Sequence, residues 1–278
     1  MSPLVKRTIF GIIFLAVMLG GLLFNRILFI VLFSFISFVM LTEFYRMTMG
    51  KTYRSLQDLA SCLGAAMLWL TASALYRGET LSEALLPILL IVAGALMMFS
   101  IFQKDHTQFL KTAYLYAGLL YIAVPLALSN VVVLHNGEFS GLLMIAFFCI
   151  IWASDVGAYC FGMVFGQKIW PAKMCPKISP QKSWAGYIGG LLMAMLAGAI
   201  LYWTGMVQFP IWHCLIMAAL MHVTGVFGDL FESLWKRAAG IKDSGNIIPG
   251  HGGLMDRFDS ALFAIPTGYI YLVCLNLL

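Results

Sequence analysis

The sequence predicts an all-α, polytopic integral membrane protein of about nine transmembrane helices, with the N-terminus cytoplasmic and the C-terminus outside. Three observations predict it. The first is composition: 62% of residues are hydrophobic, only 10% are charged, and mean hydropathy is +0.92. A soluble domain carries roughly 25% charged residues, so lipid has to be the main solvent of this chain. The second is the length of the apolar runs. A spanning helix needs about 20 apolar residues, and runs of that order lie near 8–25, 27–42, 57–76, 84–102, 112–133, 139–160, 184–206, 211–231 and 259–277. The third is the distribution of positive charge. With the N-terminus inside, the cytoplasmic loops receive 15 of the 17 Lys and Arg residues, and only Arg26 and Arg77 fall outside. Cytoplasmic loops of membrane proteins carry such an excess.

Taken in order, Lys6 and Arg7 open the chain ahead of the first apolar run, as in a signal peptide. No small-residue cleavage site follows, and a second span begins at once, so the run reads as a retained helix. The first two spans are joined only by Asn25–Arg26 and form a tight helical hairpin. Asp58, Glu79, Glu83, Asp105 and Glu138 sit at span ends or in loops, where water solvates them. Glu43 follows the second span, either as an interfacial anchor or as part of a site. The six cysteines show no C-x-x-C spacing, which supports neither a disulfide framework nor a zinc site. The net charge of +5 is dispersed through short loops, which argues against nucleic acid as a partner. No internal repeat, low-complexity tract or linker divides the chain. It reads as one membrane domain over 1–278, with scaffold helices in 1–133 and catalytic helices and cytoplasmic loops in 139–278.

The remaining acids, Asp155, Asp229, Glu232, Asp243, Asp256 and Asp259, all lie after residue 150. A carboxylate at the centre of a bilayer costs about 2.5–3.5 kcal/mol on insertion scales. Such a residue needs a partner, a cavity or a function, and a structural ion pair is the plain alternative. In GDLFESLWK (228–236), Asp229, Glu232 or Ser233, and Lys236 recur at helical spacing and line one face. Leu230, Phe231, Leu234 and Trp235 turn mostly elsewhere, so the polar stripe reads as a cavity wall. The following loop, to Asp259, mixes Lys242, His251 and Arg257 with Asp243, Asp256 and Asp259 among five glycines. Glycines permit φ > 0 and let backbone N–H groups approach an anion. Cations pair with phosphate charge, whereas carboxylates in the same place repel phosphates unless a hard cation bridges them. Mg²⁺ is the cation that oxygen ligands and phosphates favour, so the mixture of signs points to a metal–nucleotide complex. Asp229 closes the eighth span and Asp256 opens the ninth, on one side of the membrane, where both can meet one cation. In DVGAYCFGMVFG (155–166), Asp155 and Tyr159 are a helical turn apart, and Gly162 and Gly166 have the spacing of a close helix-packing face. In KISPQKSWAG (177–186), Ser179–Pro180 breaks the chain, and Lys177 and Lys182 can reach phosphates or serve orientation alone. His106, His135, His213 and His222 show no metal spacing and read as core or interfacial residues.

The run from Ser233 to Asp259, SLWKRAAGIKDSGNIIPGHGGLMDRFD, resembles the signature of the phosphatidate cytidylyltransferases, or CDP-diacylglycerol synthases. GDLFES, DVGAYCFGMVFG and KISPQKSWAG resemble the lead-in and second region of the same family. Trp235, Gln181 and Ala185 depart from its usual residues, so no acidic role is carried to position 185. The resemblance implies the reaction of CTP with phosphatidic acid to give CDP-diacylglycerol and pyrophosphate, dependent on Mg²⁺. It implies that Asp229 and Asp256 hold the metal and that Lys236, Arg237, Lys242 and Arg257 neutralise the triphosphate and lipid phosphate. His251 would donate to the leaving pyrophosphate. Asp243 and Asp259 would orient those cations or join a second, monovalent ion site, with Ser233 beside them. Asp155, Lys177, Ser179 and Lys182 would form the opposite wall. Because CTP is cytosolic, the resemblance also implies a site facing the cytoplasm; the lack of targeting extensions and the compact size suggest a bacterial inner membrane, with an organelle membrane as the alternative. A homodimer is left open. A secondary transporter and a CTP-dependent lipid-alcohol kinase are the competing readings; the first lacks its usual repeats, and the second would move the γ-phosphoryl group.

Overall fold

The computed structural model describes residues 3–103, 106–135, 138–167, 169–247 and 252–277. Helix α1 runs over Pro3–Leu23, and α2 over Arg26–Met49. The predicted tight hairpin forms because Asn25 caps α2: its side-chain oxygen accepts from the Leu28 N–H at 2.9 Å, satisfying a donor that the first helical turn leaves open. Helix α3 covers Arg54–Tyr76, and the Arg26 guanidinium lies 4.0 Å from the Tyr76 ring centre. Helix α4, Leu81–Ile101, opens on a capping box between Thr80 and Glu83. Glu83 is thus more than a solvated acid, since it accepts from the Thr80 N–H at 2.7 Å. The next span, Phe109–Val133, is interrupted. It passes from a 3₁₀ turn into α5 (Ala113–Gly118), a π-turn (Leu119–Ala123) and α6 (Val124–Val133). Pro125, near the start of α6, withholds a donor from the helical ladder, and a π-turn beside it absorbs the mismatch.

Helix α7 covers Leu142–Val164, α8 Trp184–Trp203 and α9 Ile211–Ala238. The short α10 covers Met255–Phe258, and α11 covers Ala261–Cys274. Two antiparallel hairpins qualify the all-α expectation. Strands β1 (Leu134–His135) and β2 (Glu138–Phe139) form one, and β3 (Lys173–Cys175) and β4 (Ser179–Ser183) the other. Pro171, Pro176 and Pro180 keep the 165–183 segment from continuing as helix.

Among the described residues, seven helical segments are long and apolar enough to cross a membrane. The first and ninth expected runs form the apolar helices α1 and α11, which fall short of a span among the described residues, so the count of nine is not confirmed. Two boundaries need correction. Glu43 does not follow the second span but lies inside α2, where Phe44 and Tyr45 continue the buried pattern. Asp256 does not open the last span; it belongs to α10, separated from α11 by a turn.

The chain gathers into two compact units, one of residues 1–141 with 241–257, the other of 142–240 with 258–278. In the first, α3 packs on α2 and α4, and Tyr45 donates its buried hydroxyl to the Leu115 carbonyl at 2.9 Å. The second is built through small residues. A Cβ at Gly157 of α7 would lie 2.6 Å from Met193 of α8, and one at Gly198 of α8 would lie 2.8 Å from the Cys214 carbonyl of α9. Lipid tails offer helices no hydrophobic drive to associate, so close backbone contact has to supply the attraction. Gly162 belongs to the same α7–α8 contact, 3.6 Å from Gly186 by that measure, as its spacing predicts.

Gly157→Val should therefore wedge α7 from α8 and cost about 1–3 kcal/mol of overpacking. Gly94→Ala, whose new methyl meets nothing within 4 Å, should be neutral or stabilising. Thermal unfolding of the two variants in detergent checks both.

Candidate active site

In the second unit, α9 carries the polar stripe foreseen in the sequence. Glu232, Ser233 and Lys236 are all buried, while Phe231 and Leu234 are exposed. The stripe is internally paired. The Ser233 hydroxyl donates to Asp229 at 3.4 Å, and the Lys236 ammonium meets Glu232 at 3.1 Å. The i, i+4 spacing makes both contacts on one helix face. The Lys236 charge is therefore already engaged by a carboxylate within its own helix.

Gly225 and Gly228 let α11 and the turn before it approach α9. A Cβ at Gly228 would run into the Asp259 carbonyl and the Phe263 ring. That approach sets Asp259 within electrostatic reach of Asp229, of Asp155 on α7 and of Lys182 on β4. The Lys182 ammonium is 2.7 Å from the Asp229 carboxylate and donates to the Val226 carbonyl at 3.3 Å. Three acids predicted for the site, together with Lys182, thus converge inside one unit. Their carrying elements are four: α7, β4, α9 and the α10–α11 link. Arg237 at the end of α9 donates to the Ile178 carbonyl at 3.3 Å, tying the helix to the β3–β4 turn that bears Lys177, while Ser179 opens β4. One unforeseen pair lies deeper in this unit. The buried Ser154 hydroxyl and His222 Nδ1 are 2.7 Å apart, in the space that Gly190 leaves.

In the first unit the organising acid is Asp256. Its Oδ2 accepts from the Gly253 N–H at 2.8 Å, and from both the N–H and the hydroxyl of Ser244 at 3.1 Å. The Ser244 hydroxyl also lies 3.2 Å from the Glu43 carboxylate, and its one proton serves one of the two acids at a time. Gly240 and Gly252 adopt the positive φ that the sequence suggests for this loop, at +72° and +83°. Lys242, Asp243 and Arg257 are exposed along it. His251 lies outside the described residues.

Among the described residues, no three His, Cys, Asp or Glu side chains form a ready-made metal cage. Mg²⁺ is commonly held by one or two carboxylates completed by substrate phosphates and water. The oxygen donors of Asp229 and Asp259 fit that demand, and Lys182 already occupies the position of a countercharge there.

A model of the cytidylyltransferase family matches residues 5–275. A protein of Staphylococcus saprophyticus named phosphatidate cytidylyltransferase is 33% identical over 270 residues, 96% of this chain and 98% of its own length. Proteins of the same name from Staphylococcus aureus and Bacillus subtilis are 32% and 30% identical, over 96% and 98% of this chain and 98% of each relative. The chain belongs to the cytidylyltransferase family.

Lys182→Met should remove the positive charge between Asp229 and Asp259. Both partners are partly solvated, so the pair is worth no more than about 1 kcal/mol. A fall in melting temperature of about 2–4 °C in metal-free detergent solution is expected, and Mg²⁺ should recover more of it in the variant than it adds to wild type. An unchanged melting temperature would show that the pair contributes no stability.

Proposed function

We infer that the protein is a phosphatidate cytidylyltransferase, joining CTP and phosphatidic acid into CDP-diacylglycerol with release of pyrophosphate. The observation that carries this reading is the match to bacterial relatives of that name over 96% and 98% of the chain. The acid cluster supports it, because carboxylates gathered in an apolar bundle require a reason.

In this reading the lipid phosphate attacks the α-phosphorus of CTP. It is already anionic, so the protein needs little general-base help; its task is positioning and charge neutralisation. A bound Mg²⁺ would supply charge neutralisation at the phosphates, and a second, monovalent cation can join it. Asp229 and Asp256 are the acids the resemblance gives to the metal. Asp259 and Asp155 extend the acidic wall around Lys182. Arg237, Lys242 and Arg257 are the cations for the triphosphate and lipid phosphate, with Lys177 and Ser179 near them in sequence and Asp243 orienting them. Lys236 and Ser233 hold the α9 face that presents Asp229, and His251 donates to the leaving group. The two units act as one membrane domain of nine spans, N-terminus in and C-terminus out, in a bacterial inner membrane. The strong inward bias of Lys and Arg supports that orientation, which exposes the site to cytosolic CTP while phosphatidic acid enters sideways from the bilayer.

Detergent-purified protein given Mg²⁺, phosphatidic acid and CTP labelled at either the α or the γ phosphate tests the chemistry. Label should enter the lipid from the α position alone; label from γ alone would make the protein a lipid kinase. Asp229→Asn and Asp256→Asn should each abolish turnover in folded protein, and near-wild-type rates would remove them from the metal site. Orientation is read separately. With Cys175 as the sole cysteine, a membrane-impermeant maleimide should label inverted vesicles and not intact cells, and the reverse result would invert the topology.

A further inference from the structure

The α2 acid Glu43 is only 6% exposed, and backbone donors and a serine meet it. Its Oε1 accepts from the Leu254 N–H at 3.1 Å, and its Oε2 from the Met255 N–H at 2.9 Å and the Ser244 hydroxyl at 3.2 Å. These partners lie about two hundred residues along the chain, on both sides of the signature's central stretch. Two glycines of the signature region are shaped to the same carboxylate. A Cβ on Gly245 or on Gly253 would strike the Glu43 carboxyl group. Ser244 then links two acids: its hydroxyl oxygen is 3.2 Å from Glu43 and 3.1 Å from Asp256, and its N–H also donates to Asp256. A hydroxyl has one proton to give, so the serine donates to one of the two carboxylates at a time, and its position is set by both acids.

We propose that Glu43 is a positioning residue of the reaction: from helix α2 it clamps Ser244 and the Leu254–Met255 backbone, and through them fixes the Asp256 carboxylate. A generic buried anchor would explain burial and hydrogen bonding. It would not explain why two glycines leave room for this one carboxylate, or why the serine it holds is the one that binds Asp256 through both its backbone and its side chain. The clamp rests on the reading of Asp256 as an acid of the metal–nucleotide site, and it acts through Asp256 without touching substrate.

The test compares wild type with Glu43→Ala, Glu43→Gln and Ser244→Ala in detergent. The measured quantities are kcat, KM for phosphatidic acid, the Mg²⁺ concentration for half-activation, and backbone hydrogen exchange of metal-free protein. Loss of a group that orients a metal-binding acid typically costs about 10- to 100-fold in activity or metal affinity. Glu43→Ala should show that loss in kcat and a raised Mg²⁺ requirement, with the phosphatidic acid KM unchanged. Glu43→Gln should recover part of it, because one carbonyl acceptor remains. Exchange should quicken in peptides covering 252–257 and stay unchanged in α7 and α8. Wild-type kcat and Mg²⁺ dependence in Glu43→Ala would overturn the proposal, as would unchanged exchange at 252–257. If Glu43→Ala does not fold, Gly245→Ala, whose Cβ would meet the Glu43 carboxyl group first, carries the same readouts. Should wild type itself fail to transfer cytidylyl groups, the activity reading falls, while the exchange comparison still decides whether Glu43 holds the segment.

Discussion

A carboxylate enclosed by apolar helices must be given hydrogen-bond donors or a countercharge, since leaving it bare costs several kcal/mol. The protein meets that constraint in two ways. Glu43 and Asp256 in the first unit are met by backbone N–H groups and a serine, which order a loop. In the second, Lys182 pairs with Asp229 and the Ser260 N–H donates to Asp259, and with Asp155 nearby these acids concentrate hard oxygen donors. The first arrangement orders the loop that bears Asp256.

Small residues decide where these charges can be. Gly225 and Gly228 bring the link before α11 against α9, and Gly157, Gly162, Gly186 and Gly190 bring α8 against α7 and admit the Ser154–His222 pair. Without side chains at these positions the backbones approach closely, and acids borne on three separate elements come within electrostatic range of one another and of Lys182. In a bilayer such packing also supplies much of the association energy, so the same glycines serve cohesion and site assembly together.

The spans were legible in the sequence because long apolar runs have few other meanings, and the stripe on α9 was legible because polar residues at helical spacing stand out against Leu, Phe and Trp. Glu43 was left ambiguous for a specific reason. A charge at the edge of an apolar run reads as the end of a span, yet Phe44, Tyr45 and Met49 carry the buried face of α2 a further turn and a half beyond it. The signal that raised Asp155 and Asp229, an acid embedded among apolar residues, was present there too. The loop glycines were read as openings for an anion. At Gly245 and Gly253 the anion observed is the protein's own carboxylate, a partner so distant in the chain that no local pattern announces it. The β3–β4 hairpin escaped notice because strands of three and five residues are too short to show alternation; only the prolines marked the break.

The first compact unit is discontinuous: its helices come from residues 1–141, but 241–257 complete it. During synthesis α2 is made long before Leu254 and Met255 leave the ribosome, so the Glu43 side chain spends most of translation without its final donors. Until then the carboxyl group is protonated or finds other donors. Every helix from α7 to α9 is made in that interval, which places maturation of the signature loop among the last events of biogenesis. A chain that stops short of residue 254 would therefore leave its earliest helices unfinished, and cellular quality control could recognise such a fragment by the exposed acid near its beginning.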